Sequence, residues 1–149
     1  MSKADISGAD RPTADAIRAA REANPKMRER DLSGILNISE AELVAAWCGR
    51  SVRRIDIDMD AIFGSMEAVG EVMGLTRNLS AVHEKIGVYD NYHGSRHASM
   101  MLGGEIDTRM FPKHFQHAFE VTKTVEGKEK RSLQFFDVAG DAVHKIHLR

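Results

Sequence analysis

The sequence contains little cysteine, no long apolar run and almost no net charge. The single Cys48 excludes an internal disulfide, and no C-x-x-C pair is present for a zinc site. No apolar run approaches the roughly 20 residues that span a bilayer. The polar start M-S-K-A-D-I-S-G-A-D-R-P lacks the apolar core of a signal peptide. These absences favour a protein of the reducing cytoplasm.

The near-zero net charge and the absence of common catalytic motifs limit the possible functions further. With 21 basic and 22 acidic residues, the net charge of -1 provides no global attraction to nucleic acid or to an acidic membrane. The chain has no G-x-S-x-G, P-loop, G-x-G-x-x-G or H-E-x-x-H pattern. At 149 residues it is long enough for one domain with a substantial core.

The stretch from Arg77 to Arg109 combines strand-like segments with histidines and cations. Two runs rich in Val, Ile, Tyr and Met flank a turn of Asn, Asp, His and Gly, which is typical of a hairpin. The imidazoles and cations in this stretch are His83, His93, His97, Arg77, Lys85, Arg96 and Arg109. An apolar surface with a few such groups suits a large, flat anionic ligand, of which heme is one example.

The first third of the chain is predicted to be helical. Thr13 can cap a first helix. A second helix is predicted over roughly Lys26–Leu36 from its apolar periodicity. Ser39, followed three residues later by Glu42, forms a capping-box pattern for a third helix that ends at Gly49.

The second and third predicted helices, R-D-L-S-G-I-L-N-I-S-E-A-E-L-V-A-A-W, have the pattern of a helix-turn-helix. One interpretation is a DNA-binding regulator that uses residues 26–54. The other is a helical cap that packs on the rest of the domain. The leading turn of the candidate reader helix, S-E-A-E, is acidic and would repel phosphates, although Arg50, Arg53 and Arg54 follow it. The pattern therefore favours the helical cap.

From Glu71 onward the pattern is mostly that of β-strands. Strands are predicted over Val72–Ser80, Ala81–Tyr89 and His97–Leu102, and a short helix is predicted to begin at Pro112. The segments F-E-V-T-K-T-V, S-L-Q-F-F-D and D-A-V-H-K-I-H-L then follow with short turns between them. The expected fold class is α+β, with N-terminal helices packed on a large antiparallel sheet.

The expected domain organisation is simple. Residues 1–12 are predicted to form a flexible tail, and residues 13–149 a single domain with a helical cap (13–49) and a sheet-rich part (50–149). The chain stops at Arg149 directly after a predicted strand, which favours one half of a larger unit.

His83, in A-V-H-E-K, has two interpretations. In an extended strand it shares a face with Lys85, and it could be an axial iron ligand whose imidazole is oriented by Glu84 or by a carbonyl. The alternative is a half-exposed strand histidine without a ligand role.

The histidines nearer the end of the chain are weaker candidates. His114 and His117 are three apart on the predicted helix and could meet one metal, but a third ligand is missing, so a solvated helix face is favoured. His144 and His147 are predicted on opposite faces of a strand and cannot share an ion.

Arg109, in E-I-D-T-R-M-F, can also be interpreted in two ways. Asp107 shares its face in an extended segment, so the pair could form a surface salt bridge of little energetic worth. Alternatively, the guanidinium could bind a carboxylate or a bound oxygen species.

Several segments, taken in order, are similar to a known family. They are N-P-K-M-R-E-R-D-L, N-I-S-E-A-E-L-V, E-A-V-G-E-V-M-G-L-T-R-N, A-V-H-E-K-I-G-V-Y, I-D-T-R-M-F and R-S-L-Q-F-F-D-V-A-G-D-A-V-H-K-I. From about residue 13 to residue 149 the chain resembles the first half of the bacterial cytoplasmic heme-utilisation proteins, the hemin-degrading factor family that includes HemS, ChuS, ShuS and PhuS.

The resemblance implies a fold of two similar α+β halves around a heme cleft. A histidine from the second half, which this chain lacks, would hold the iron, and an arginine matching Arg109 would cover the other side. The V-H-E histidine of the family matches His83, which makes His83 the expected ligand of an isolated half. Arg77 and Lys85 are the expected cations for the propionates.

The resulting hypothesis is a cytoplasmic protein that binds and carries heme and contributes to its degradation with an external reductant. The resemblance implies a heme oxygenase or a homologous second half as partner, and a homodimer could replace the missing half. Nucleic acid and membrane are not expected partners. The alternatives are the DNA-binding regulator and a structural half that binds heme only with its missing counterpart.

Overall fold

The computed structural model describes residues 11–149, so residues 1–10 of the expected tail lie outside the described residues. The fold is α+β. The helices are α1 (Ala14–Ala23), α2 (Glu29–Leu36), α3 (Glu40–Ala45), α4 (Met59–Gly64) and α5 (Met66–Val69), with a 3-10 turn at Pro112–His114. No helix in this part of the chain is long and apolar enough to cross a membrane.

The strands form two antiparallel sheets. They are β1 (Val52–Ile55), β2 (Glu71–Arg77), β3 (Val82–Val88), β4 (Tyr92–His93), β5 (Ser99–Leu102), β6 (Asp107–Met110), β7 (His117–Val125), β8 (Lys128–Phe136) and β9 (Ala142–Leu148). The large sheet has six strands in the order β1-β7-β8-β9-β2-β3, and the small sheet has the order β4-β5-β6. The predicted combination of helices with a large antiparallel sheet is confirmed.

The first three helices cover one face of the large sheet. Alternate residues of a strand point to the same face, so Val52, Phe119, Val121 and Phe136 form one apolar surface on three neighbouring strands. Ala41 and Val44 of α3 pack on it, and behind them a second cluster joins α1 to α2 and α3.

The other face of the large sheet is covered by α4, α5 and the small sheet. Phe63 of α4 is fully buried, and its ring centroid lies 6.2 Å from that of Tyr89, 6.2 Å from that of Phe115 and 5.4 Å from that of Phe135. Burial of an aromatic side chain of this size contributes roughly 1.5–3 kcal/mol. This cluster holds the small sheet against the large one and so fixes the position of β6.

The predicted helix caps are present. The Thr13 hydroxyl accepts a hydrogen bond from the backbone N–H of Ala16 at 3.1 Å, and the Ser39 hydroxyl accepts one from the N–H of Glu42, also at 3.1 Å. Each satisfies an N–H that has no partner within its helix.

Helix α2 begins at Glu29, three residues later than the predicted start at Lys26. The Arg21 guanidinium donates hydrogen bonds to the carbonyls of Pro25 and Met27, which holds this segment as a turn. Because of this contact from α1, the helix begins later than predicted, and the local sequence does not indicate the contact.

Helix α3 is not available as a DNA reader. Glu40, Ala41, Leu43 and Val44 are buried in its six residues, because the helix lies between the sheet and the other two helices. Even the acidic Glu40 is enclosed, with its carboxylate 2.7 Å from the Lys145 ammonium. A reader helix needs a free face for base edges, so the structure supports the helical cap and not the DNA-binding regulator.

The prediction of a helix that begins at Pro112 is wrong. Only the 3-10 turn forms there, and strand β7 begins at His117. The segment H-A-F-E-V-T-K-T-V is rich in aromatic and β-branched residues and pairs with both β1 and β8. Those two ladders outweigh the local preference of Pro112 for a helix start.

The two predicted strands between Val72 and Tyr89 form a hairpin, but each is shorter at the turn. The Asn78 side-chain oxygen accepts hydrogen bonds from the N–H groups of Ser80 at 2.8 Å and Ala81 at 2.9 Å. These bonds close the turn between β2 and β3 and end the ladder at the Arg77–Val82 pair.

Candidate functional site

His83 and Lys85 lie on the same face of the large sheet. In the antiparallel pair β2–β3, His83 is directly opposite Thr76 and Lys85 is directly opposite Gly74. Gly74 in turn pairs with Ile146 of β9, which places this group on the face covered by the small sheet. Two of the predicted site residues thus project toward β6, the strand that carries Arg109.

A cavity of about 300 Å³ lies between the hairpin β2–β3 and the small sheet. His83 and Lys85 line one wall, and Asp107 and Thr108 of β6 line the opposite wall. His144 of β9 forms part of the floor. An imidazole and an ammonium group on β3 thus face a cavity whose other wall is β6, a strand of the other sheet.

A second cavity of about 130 Å³ continues from the first. Thr76, Thr108 and His144 line both cavities, which makes them neighbouring parts of one cleft. Arg109 and His114 line the second cavity, together with the apolar side chains of Met110, Phe111, Phe115 and Val143. We refer to the two cavities together as the cleft.

Arg109 is exposed and is one of the residues that line the second cavity. Within residues 11–149 it makes no hydrogen bond or ion pair, and the sequence-based alternative of a salt bridge with Asp107 is not present. Because its guanidinium has no partner among residues 11–149, Arg109 is available to an anionic or oxygen-bearing ligand.

Lys85 has a partner in the cleft wall. Its ammonium lies 2.8 Å from the carboxylate of Glu105, and the hydrogen bond and charge of Lys85 lower the pKa of Glu105. Both side chains are largely exposed, so the pair is weak. A ligand carboxylate could therefore replace Glu105 at small cost.

The floor of the cleft contains a chain of three polar side chains. The Tyr89 hydroxyl lies 2.6 Å from Nε2 of His144, and Nδ1 of His144 lies 2.9 Å from the Thr76 hydroxyl. The chain fits because Gly74 has no side chain: a Cβ there would clash with the Tyr89 hydroxyl and lie 3.2 Å from Cζ of its ring.

Burial fixes the protonation states of His144 and Tyr89. Desolvation lowers the pKa of His144 to about 4 and raises the pKa of Tyr89, so at neutral pH His144 is a neutral imidazole and Tyr89 a neutral phenol. Because both ring nitrogens of His144 already have partners, it is not a free iron ligand.

Arg77 is not brought to the cleft. It follows Thr76 in β2, so its side chain points to the opposite face of the sheet and lines a separate cavity of about 580 Å³ with Arg30 and Asn78. Its Nε is buried there and has no hydrogen-bond partner in the part of the chain that the structure describes. His83 and Lys85 thus line the larger cavity of the cleft and Arg109 lines the smaller one, whereas Arg77 lines neither.

The histidine pair at 114 and 117 does not form a metal site. His117 begins β7, where Arg54 donates a hydrogen bond to its Nδ1 at 2.6 Å, whereas His114 lies at the cleft. Within the described chain, no group of three or more His, Cys, Asp or Glu residues could hold a metal ion. His144 and His147 lie on opposite faces of β9, as predicted.

The cleft fits the chemistry of a heme better than that of a bare metal ion. It offers an exposed imidazole, His83, and the cations Lys85 and Arg109 beside an apolar wall. Its larger cavity is at the lower limit of small-molecule sites, which are typically about 300–1,000 Å³. A ring as large as a porphyrin would therefore be only partly enclosed by this chain.

Three features of the cleft were not predicted from the sequence, namely Thr76, Tyr89 and the position of His114. Thr76 has no distinguishing sequence signal, and His114 was assigned to a helix that does not form. The alternation of β9 places His144 on the buried face with Ile146, and this pattern is readable in the sequence. Its pairing with Tyr89 joins residues 55 positions apart and is visible only in the fold.

A family model described as the haemin-degrading HemS/ChuX domain matches residues 37–149. The chain is 38% identical over 130 residues to the hemin transport protein HmuS of Yersinia pestis, covering 87% of this chain and 38% of that protein. The chain therefore spans well under half the length of this curated relative.

Solved structures show the same likeness. A heme-bound PhuS from Pseudomonas aeruginosa, described as a heme-binding protein, matches with a TM-score of 0.86 and 33% identity, over 91% of this chain and 40% of that one. The Escherichia coli heme-degrading enzyme ChuS matches with a TM-score of 0.80 and 34% identity, over 89% of this chain and 40% of that one. By sequence and by fold, this chain belongs to the haemin-degrading HemS/ChuX family.

Proposed function

We propose that this protein binds heme in the cleft between the hairpin β2–β3 and the small sheet. The observation that carries the proposal is the convergence of His83, Lys85 and Arg109, from two strands of different sheets, on one cleft in a chain of the HemS/ChuX family. Heme combines an apolar ring, an iron that accepts nitrogen and two carboxylates.

Each of the three residues has a distinct role in this proposal. His83 is exposed and its ring makes no hydrogen bond within residues 11–149, so a nitrogen is free to ligate iron. Arg109 provides hydrogen-bond donors at the other end of the cleft. Lys85 can exchange Glu105 for a ligand carboxylate.

The chain supplies only one wall of the proposed site. The cavities are small for a porphyrin, and the chain spans 38% of the HmuS relative and 40% of the PhuS relative. The second wall would come from a homologous half or from a second copy of this chain. Handover to a heme oxygenase, heme degradation with an external reductant and a cytoplasmic location belong to the same proposal and rest on the family resemblance.

Titration of the purified protein with hemin, followed by absorption, tests the proposal. A sharpened and shifted Soret band that saturates near one heme per chain, or one per dimer, would support it. A spectrum identical to that of hemin mixed with a nonspecific carrier protein would contradict it.

A further inference from the structure

The polar chain on the cleft floor has a defined hydrogen-bond direction. Tyr89 is 1% exposed and His144 7% exposed, so protein atoms surround most of both side chains and supply their hydrogen-bond partners. A neutral imidazole has one N–H donor and one acceptor nitrogen. Two arrangements are therefore conceivable, in which the hydrogen bonds run from Tyr89 to Thr76 or from Thr76 to Tyr89.

Only one arrangement satisfies every buried donor. If Thr76 donated to Nδ1 of His144, then Nε2 would donate to Tyr89, and the Tyr89 hydroxyl hydrogen would have no acceptor in the described part of the chain. Leaving a buried donor unpaired costs about 1–3 kcal/mol. In the other arrangement Tyr89 donates to Nε2, and the Nδ1–H of His144 donates to the Thr76 hydroxyl oxygen.

This direction leaves the hydroxyl hydrogen of Thr76 without an acceptor among residues 11–149. Thr76 is exposed and lines both cavities of the cleft, so its hydroxyl is reachable by a ligand. It lies directly opposite His83 and one step along the same face from the Gly74–Lys85 pair. The hydrogen-bonded side chains Tyr89, His144 and Thr76 thus present a hydrogen-bond donor opposite the proposed iron ligand and diagonal to the cation Lys85.

We infer that Thr76 is a specificity-determining residue whose hydroxyl donates a hydrogen bond to a carboxylate of the bound ligand. Tyr89 and His144 act through Thr76 as positioning residues. The inference rests on the proposed function, because a porphyrin is recognised as a substrate by its carboxylates as well as by its ring. A carboxylate is the proposed acceptor because it can take the place of Glu105 against the Lys85 ammonium, which lies in the same cavity.

The test compares hemin with its dimethyl ester, which has the same ring and iron but no carboxylate charge. Thr76→Val removes the donor at nearly constant volume, and Thr76→Ser keeps it. Thr124→Val, at an exposed position near the far end of β7, is the matched control. Dissociation constants are measured by absorption titration, and the tautomer of His144 is read from its ring nitrogen-15 chemical shifts in the ligand-free protein.

We expect Thr76→Val to weaken hemin binding roughly tenfold or more and to weaken binding of the dimethyl ester less than about threefold, since a charged acceptor roughly doubles the strength of a hydrogen bond. Thr76→Ser and Thr124→Val should bind hemin as the unaltered protein does.

His144 should be the tautomer protonated at Nδ1. In Tyr89→Phe, His144 should no longer prefer this tautomer over the one protonated at Nε2.

Two outcomes would overturn the inference while leaving the proposed function intact. One is an equal loss of affinity for hemin and its ester in Thr76→Val, and the other is a His144 protonated at Nε2. Failure of the unaltered protein to bind hemin would instead overturn the proposed function, and the inference with it.

Discussion

His83 lies directly opposite Thr76 across the antiparallel pair β2–β3, so the two side chains share one face of the sheet. The next residue along β2, Arg77, points to the opposite face and into a different cavity. A single step along the strand therefore separates a cleft residue from a residue beneath the helical cap. Substitutions of the cleft residues should therefore affect ligand binding, and substitutions on the opposite face should not.

Arg109→Ala should weaken hemin binding or change the spin state of the bound iron, whereas Arg77→Ala should do neither. Loss of a charge-assisted hydrogen bond corresponds to roughly 1.5–3 kcal/mol of binding free energy. The melting temperature of Arg109→Ala should change little, because its guanidinium has no partner within residues 11–149. Absorption titration of the two variants side by side provides the measurement. Equal affinities together with the same spin state in both variants would remove Arg109 from the site.

His83→Ala should convert the ferric spectrum from a histidine-ligated to a water- or hydroxide-ligated form. His114→Ala should leave the ligation unchanged, although His114 lines the same cleft near Arg109. Because burial of the porphyrin ring does not depend on the axial ligand, His83→Ala should retain part of the affinity. Loss of the histidine signal in His114→Ala instead would transfer the ligand role to that residue.

Burial of neutral His144 should make the protein less stable as the pH falls. The unfolded chain binds the proton near the ordinary pKa of 6.5, whereas the folded protein binds it only near pH 4. Proton uptake therefore favours the unfolded state throughout that window, and the contribution is fully present above pH 6.5. Integrated over the window, the free energy of unfolding should fall by roughly 3 kcal/mol through this group.

Urea unfolding at several pH values measures this contribution as a difference between proteins. His144→Gln should show a shallower loss of stability between pH 6.5 and pH 4 than the unaltered protein. His93→Gln, at an exposed position, is the control and should keep the full slope. Parallel curves for His144→Gln and the unaltered protein would show that His144 is not buried in its neutral form.

Gly74→Ala should destabilise the fold and disturb the cleft floor. The added Cβ would clash with the Tyr89 hydroxyl and lie 3.2 Å from Cζ of the ring, so Tyr89 must move away from His144. Overpacking of this kind costs about 1–3 kcal/mol. Gly104→Ala is the control, because its added Cβ would meet nothing within 4 Å. Thermal unfolding of both variants tests the close packing of Tyr89 against Gly74, and similar melting temperatures would contradict it.

Much of the fold was predictable because local signals agree with the tertiary structure. The caps at Thr13 and Ser39, the two strands of the β2–β3 pair and the alternation in β9 are readable in the sequence. The hairpin predicted around the Asn-, Asp-, His- and Gly-rich turn after Tyr89 is wrong, because β3 pairs with β2 in the large sheet whereas β5 pairs with β4 and β6 in the small one. The helix expected at Pro112 failed because strand pairing on both sides of β7 overrides a local preference. Such pairing joins residues far apart in the chain, and single-residue propensity does not contain it.

The candidate site was less predictable than the fold. Alternation alone placed His83 and Lys85 on one face, but only the packing of the small sheet against the large one shows that Arg109 lies near them. Arg77 is also an arginine and has a suitable position in the sequence, yet the alternation of side chains along β2 places it on the other face of the sheet. The Tyr89–His144 contact depends on the absence of a side chain at Gly74, which a sequence pattern does not reveal.

The most direct test of the proposed cleft compares two triple variants with the same change of charge and residue types. The first, His83→Ala/Lys85→Ala/Arg109→Ala, removes the cleft groups. The second, His93→Ala/Lys130→Ala/Arg50→Ala, removes three exposed groups that line neither cavity of the cleft. In hemin titrations followed at the Soret band, we predict that the first variant loses the shifted, saturable band and the second retains the affinity of the unaltered protein. Equal affinity in the two variants would contradict heme binding in this cleft.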